Sequence, residues 1–145
     1  MVIGMSLQEI VYAVFLALII AILSTILHEL AHAGMCRIFK CKIVGLKVLF
    51  LDYDGSRLHL DFKKKNHCAF ITESRAKMKA IVAAGPLIES ILSVICAIGA
   101  LSTRQSWIKF GLIAGAAFNV ISVIYNLLPT TNGDGKMLFG KDGVG

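Results

Sequence analysis

His28-Glu29-Leu30-Ala31-His32 is an HExxH pattern, and it follows directly on residues 10–27, a stretch without a single charge. Spacing of four puts both imidazoles on one face of a helix, where they can point at one Zn²⁺ while Glu29 reaches an activated water. Two ligands and a base make the front half of a hydrolase site. A catalytic zinc takes three protein ligands and keeps a fourth position open. Asp134 is the candidate third ligand, because it follows the last apolar stretch and two further crossings return it to the face that carries His28 and His32. The simpler alternatives are a polar histidine pair lining a helix bundle, and a metal-free turn at Asn132-Gly133-Asp134-Gly135.

The elements that must position these groups are written in the composition. Of 145 residues, 57% are apolar and mean hydropathy is +0.76, above the usual range of a soluble chain. Length fits one domain over 1–145. Residues 10–27, 81–101 and 110–128 each approach the roughly 20 apolar residues that cross a bilayer, and Glu89 is the only charge inside them. The first span should continue through the HExxH to about residue 39 as one helix, spans 10–39, 81–101 and 110–128 completing the set. Residues 1–9 lack a basic region and the apolar stretch ends in His and Glu, so it reads as a retained span and not as a secretory signal.

Charge is concentrated between residues 36 and 80, where Lys and Arg outnumber Asp and Glu eleven to four within a chain of net charge +6. A cytoplasmic loop accounts for this, with the N-terminus outside and the C-terminus (Lys136, Lys141) and the active site toward the cytoplasm of a cell membrane. No nucleic-acid partner is expected, since the flanking spans explain the basic charge. Cys36, Cys41, Cys68 and Cys96 have no CxxC spacing, which favours reduced thiols over a disulfide or a second metal site.

Residues 43–62 change pattern. Val48-Leu49-Phe50-Leu51 leads into Asp52-Tyr53-Asp54-Gly55, and Arg57 to Phe62 alternates polar and apolar, a β-hairpin signature with Asp54-Gly55 at the turn. Lys63 to Asn66 reads as an exposed link, and residues 72–79 as a basic lead-in to the second span. Gly111 and Gly115 form a small-xxx-small pair suited to close helix packing. His59 and His67 read as surface residues, and Tyr12 and Trp107 as interfacial anchors. The fold class expected is therefore a mainly α membrane protein of three transmembrane helices with a small β-hairpin between the first and second.

Asn126-Leu127-Leu128-Pro129 followed by Asp134-Gly135 resembles the NxxPx(4)DG pattern of the site-2 protease family of intramembrane zinc metalloproteases. Gly85-Pro86 resembles that family's Gly-Pro element, and the order of motifs covers nearly the whole chain as its minimal three-span core. The resemblance implies His28, His32 and Asp134 as ligands of one zinc per chain, Glu29 as general acid/base, and Asn126 as a substrate-positioning residue. Asn126 could equally serve as a helix-to-helix hydrogen bonder. Glu89 stands where the family often carries Asn four positions after the Gly, and would touch either substrate or a polar partner. Asn132-Gly133 and Lys136 also depart from the common pattern.

The activity implied is hydrolysis of peptide bonds in membrane-embedded or membrane-proximal substrates, in regulated intramembrane proteolysis or peptide processing. Its partners would be the lipid bilayer and a transmembrane or membrane-associated peptide, with a second copy or an accessory protein supplying regulation. A hairpin edge at residues 48–62 is expected to receive the extended substrate by strand addition. The competing classes are a zinc-binding scaffold or pseudoprotease, against which Glu29 argues because a structural site needs no base, and a small transporter using Glu89 and the histidines along its path.

Overall fold

A computed structural model of the chain describes residues 4–63, 66–129 and 134–139. Lys64, Lys65, Asn132, Gly133 and Lys141 lie outside them. The described elements are α1 (Leu7–Ile38), β1 (Lys42–Val48), β2 (Leu51–Tyr53), β3 (Leu58–Leu60), β4 (His67–Ile71), α2 (Arg75–Ser102), α3 (Ser106–Leu127) and α4 (Asp134–Phe139). The first three α-helices but not α4 are long and apolar enough to cross a membrane.

α1 is delimited by local chemistry at both ends. Ser6 and Glu9 form a capping box, with Glu9 N donating to Ser6 Oγ and Ser6 N donating to Glu9 Oε2. At the other end Lys40 takes a left-handed conformation (φ 55°), Cys41 N donates to Cys36 O and Lys40 N to Arg37 O. That is a Schellman stop built without glycine, and it turns the chain from the helix carrying the HExxH straight into β1.

The three long helices pack pairwise. Gly111 and Gly115 let α3 approach α1: a Cβ on either would lie 2.8 Å from the side chain of Leu16 or Ile20. Tyr12 and Trp107 meet edge-on with centroids 5.7 Å apart, joining the starts of α1 and α3 at the end of the bundle away from the histidines. The interior mixes polar groups with small and apolar ones such as Ala13, Ile81, Val82 and Ala100, while the exterior is apolar. Ser24, His28, Glu29, His32, Glu89 and Asn119 are buried, while Phe15, Ile98, Leu101 and Ile121 are more than half exposed. A water-soluble bundle has the opposite arrangement.

In place of a hairpin over residues 43–62 there is a four-stranded antiparallel sheet in the order β3-β2-β1-β4. The apolar run Val48-Leu49-Phe50-Leu51 is broken, not continuous. Val48 pairs with Leu51 across a two-residue loop in which Leu49 is left-handed (φ 56°) and donates its N–H to Asn66 Oδ1 at 2.8 Å. The expected turn at Asp54-Gly55 does join β2 to β3. Asp54 Oδ1 accepts from Arg57 N, Ser56 N and Ser56 Oγ, bonds that hold its carboxyl down to about 2. Gly55 has φ 88°, and a Cβ there would stand 2.8 Å from Val44 O.

Two boundaries and one helix also differ from expectation. α2 begins at Arg75, six residues before the apolar run, because Ser74 caps it and the basic lead-in simply joins the helix. α3 likewise starts at Ser106 and takes in Lys109. Asp134 opens a short helix instead of sitting in a plain turn.

Candidate metal centre

His28 and His32 project from the last third of α1, and α2 crosses them at Gly85. His28 Nε2 and His32 Nε2 lie 3.1 Å apart, and Asp134 Oδ2 is 3.2 Å from the first and 3.4 Å from the second. Metal–ligand bonds of about 2.0–2.1 Å at a tetrahedral angle separate ligand atoms by roughly 3.3–3.4 Å. The triangle therefore fits a single ion, and these three residues could hold one. Asp134 Oδ2 is fully enclosed, and among the described residues no hydrogen-bond donor is aligned to it. Burial alone would raise the Asp134 carboxyl, but the facing histidines outweigh burial and hold it below its usual range.

Two glycines make the triangle geometrically accessible. A Cβ on Gly85 would sit 2.6 Å from His28 Nε2, His28 Cε1 and His32 Nε2, against both ligand nitrogens. Pro86 next to it has no N–H for the carbonyl one turn back, and in the same turn Ile81 O accepts His32 Nδ1–H at 2.8 Å. That bond leaves His32 Nε2 facing the triangle. A Cβ on Gly135 would run into the backbone carbonyls of Leu127 and Leu128, 2.6 Å from the latter's oxygen. Only glycine lets α4 close on the end of α3 and bring Asp134 to the histidines. Gly135→Ala is accordingly expected to detach Asp134 and lower metal affinity at least about tenfold, read by chelator competition; an affinity equal to that of the parent would remove this role for Gly135.

Glu29 is buried beside His28, on the wall of a cavity of about 390 Å³ that His28, His32, Asn126 and Asp134 also line. Its Oε2 is enclosed and has no hydrogen-bond partner among the described residues. A carboxylate oxygen left free in this setting is available to a water or to a substrate N–H. Glu89 lies outside the cavity wall, 2% exposed, behind His28: its Oε1 is 3.2 Å from His28 Nδ1 and accepts Ser122 Oγ–H at 2.6 Å, while Oε2 accepts from Asn126 Nδ2 at 3.3 Å.

The cavity also contains residues that sequence reasoning passed over. Asn66, His67, Cys68 and Phe70 bring β4, an edge strand, to its wall, and Lys136 and Met137 add α4. No residue from 48–62 lines it, so the strand beside the site is β4 and not the expected hairpin. His67 is exposed as anticipated, yet it faces this cavity. Period-2 alternation is too weak over His67–Ile71 to have marked the strand. Ser122 was legible: Asn119, Ser122 and Asn126 fall at helical spacing on one stripe of α3.

All four cysteines are free thiols. Burial pushes Cys68 up to about 12, which keeps it neutral beside the histidines. A second group, Asp52, His59 and Asp61, gathers on the sheet, but the buried Lys47 ammonium stands 3.5 Å from Asp61 Oδ1 and supplies the positive charge there. Compared with known protein families, with characterised proteins and with solved structures, the chain matches none.

Proposed function

We propose that the chain is an intramembrane zinc endopeptidase similar to the site-2 protease family, with α1, α2 and α3 crossing a cell membrane and the centre toward the cytoplasm. The observation that carries this reading is the His28, His32, Asp134 triangle beside a buried Glu29 whose Oε2 has no hydrogen-bond partner among the described residues. An apolar exterior with His28, Glu29, His32 and Glu89 buried inside supports the membrane setting, since ionisable groups facing lipid cost at least roughly 2.5 kcal/mol each. The basic sheet and link support a cytoplasmic placement of this end.

Bound zinc would supply Lewis-acid activation of water and of the scissile carbonyl. His28, His32 and Asp134 would hold it. Glu29 takes the proton from the attacking water and returns it to the leaving amine, completing peptide hydrolysis. Asn126, on the cavity wall, is placed to meet the substrate backbone. A substrate must be extended to offer a carbonyl, because a helix hides them in its own hydrogen bonds. The edge strand β4 is the element beside the site that could pair with such a segment. Proline substitutions along His67–Ile71 are expected to slow cleavage with zinc content unchanged, and unaltered rates would remove β4 from substrate binding.

The test of activity is cleavage of single-span peptides by the purified chain in detergent or liposomes. Hydrolysis that stops with a chelator and returns with zinc supports the reading. Zinc binding with no hydrolysis of any such peptide favours a scaffold, and ion flux in liposomes favours a transporter.

A further inference from the structure

We propose that Glu89 is a positioning residue of the metal centre, whose carboxylate receives His28 Nδ1–H and thereby aims His28 Nε2 at the metal. This role rests on the reading of the triangle as a metal centre. Each histidine of the pair has one ring nitrogen in the triangle and the other turned away from it. For His32 the outward nitrogen bonds a backbone carbonyl, Ile81 O. For His28 the acceptor reached among the described residues is Glu89 Oε1 at 3.2 Å, with the N–H still off the line of an ideal bond. Catalytic bonds of this kind often tighten when the site is filled.

The chemistry of Glu89 fits this role better than that of a passive polar residue. A buried carboxylate offers only acceptors, and it is surrounded by three donors: the Ser122 hydroxyl, the Asn126 amide and the His28 ring. Ser122 and Asn126 come from α3, so the carboxylate is fixed from one helix, carried on a second and directed at a ligand on a third. A metal-bound histidine commonly donates its other N–H to a carboxylate or carbonyl, which sets the tautomer and orientation of the ring. The geometry also explains why a charge is tolerated inside an apolar span. Glu89 sits behind the ligand, outside the cavity wall, which separates it from substrate.

The alternative is that Glu89 only ties α2 to α3 through Ser122 and Asn126. Zinc affinity of folded protein, measured by chelator competition for the parent, Glu89→Ala, Glu89→Gln and Ser122→Ala, separates the two. Positioning predicts that Glu89→Ala loses about 10–100-fold in zinc affinity. Glu89→Gln should fall between, because its amide oxygen still accepts from His28 Nδ1–H, and Ser122→Ala should stay near the parent. Parent-like affinity in folded Glu89→Ala overturns the proposal while leaving the metal centre standing. A parent that binds no zinc takes down the metal-centre reading itself, and the proposal with it.

Should Glu89→Ala fail to fold, the histidine ¹⁵N–¹H spectrum of the zinc-loaded parent separates the two roles instead. A His28 ring bound through Nε2, with an Nδ1–H shifted downfield and slow to exchange, supports the carboxylate bond. Rapid exchange at that proton, or attachment through Nδ1, overturns it.

Discussion

Gly85→Ala is expected to cost the protein its metal while leaving its helices intact. Alanine is the better helix former by up to about 1 kcal/mol, so α2 itself has no reason to fray. The whole effect comes from one methyl group that would lie 2.6 Å from the ligand nitrogens of both histidines, where ordinary contact begins at 3.4 Å. Both rings would have to withdraw together, and His28 cannot do so without leaving Asp134 Oδ2 and Glu89 Oε1. A fall in zinc affinity of about 100-fold or more follows, since displacing the ligands should exceed the loss from removing one of their supports. Far-UV circular dichroism alongside chelator competition checks it. Parent-like affinity would mean that α2 does not press on the histidines as described.

Glu29→Gln should have the opposite signature, with metal kept and chemistry lost. Glu29 is not a vertex of the triangle, and glutamine matches its shape, so zinc should load as in the parent. Its loss as a proton acceptor should lower peptide hydrolysis by about 10²–10⁴-fold. The buried Oε2 makes the prediction specific, because among the described residues no hydrogen bond to that oxygen is removed with it. Zinc content and turnover measured on one preparation decide the matter. Full activity in Glu29→Gln would assign the proton transfer to another group on the cavity wall.

Much of this was legible in the chain. HExxH spacing, three apolar runs, the Asp134-Gly135 string and the Gly85-Pro86 pair are local patterns, and they identify the three long helices and the three groups that converge. The reasons for the two glycines were not legible, because each is set by atoms distant in sequence: the His28 and His32 rings for Gly85, the Leu127 and Leu128 carbonyls for Gly135. The sheet was the least legible part. The turn at Leu49 contains no residue that favours a left-handed backbone and is pinned by Asn66 from β4's side, so an apolar run read as one strand when it holds the ends of two. Lys47 sits wholly buried for the same kind of reason, its ammonium meeting Asp61 from outside the β1–β2 pair. Glu89 illustrates the limit most clearly. Its type and position announced a function, but only the three-dimensional neighbourhood distinguishes a group that touches substrate from one that stands behind a ligand.

Everything proposed for this protein depends on one ion being held jointly by the end of α1 and the start of α4. Zinc per chain, measured in detergent-purified parent, His28→Ala and Asp134→Ala, tests that dependence. Close to one zinc is expected in the parent, with weakened retention in both variants. Zinc undiminished by Asp134→Ala, or no zinc in the parent after supplementation, would contradict it.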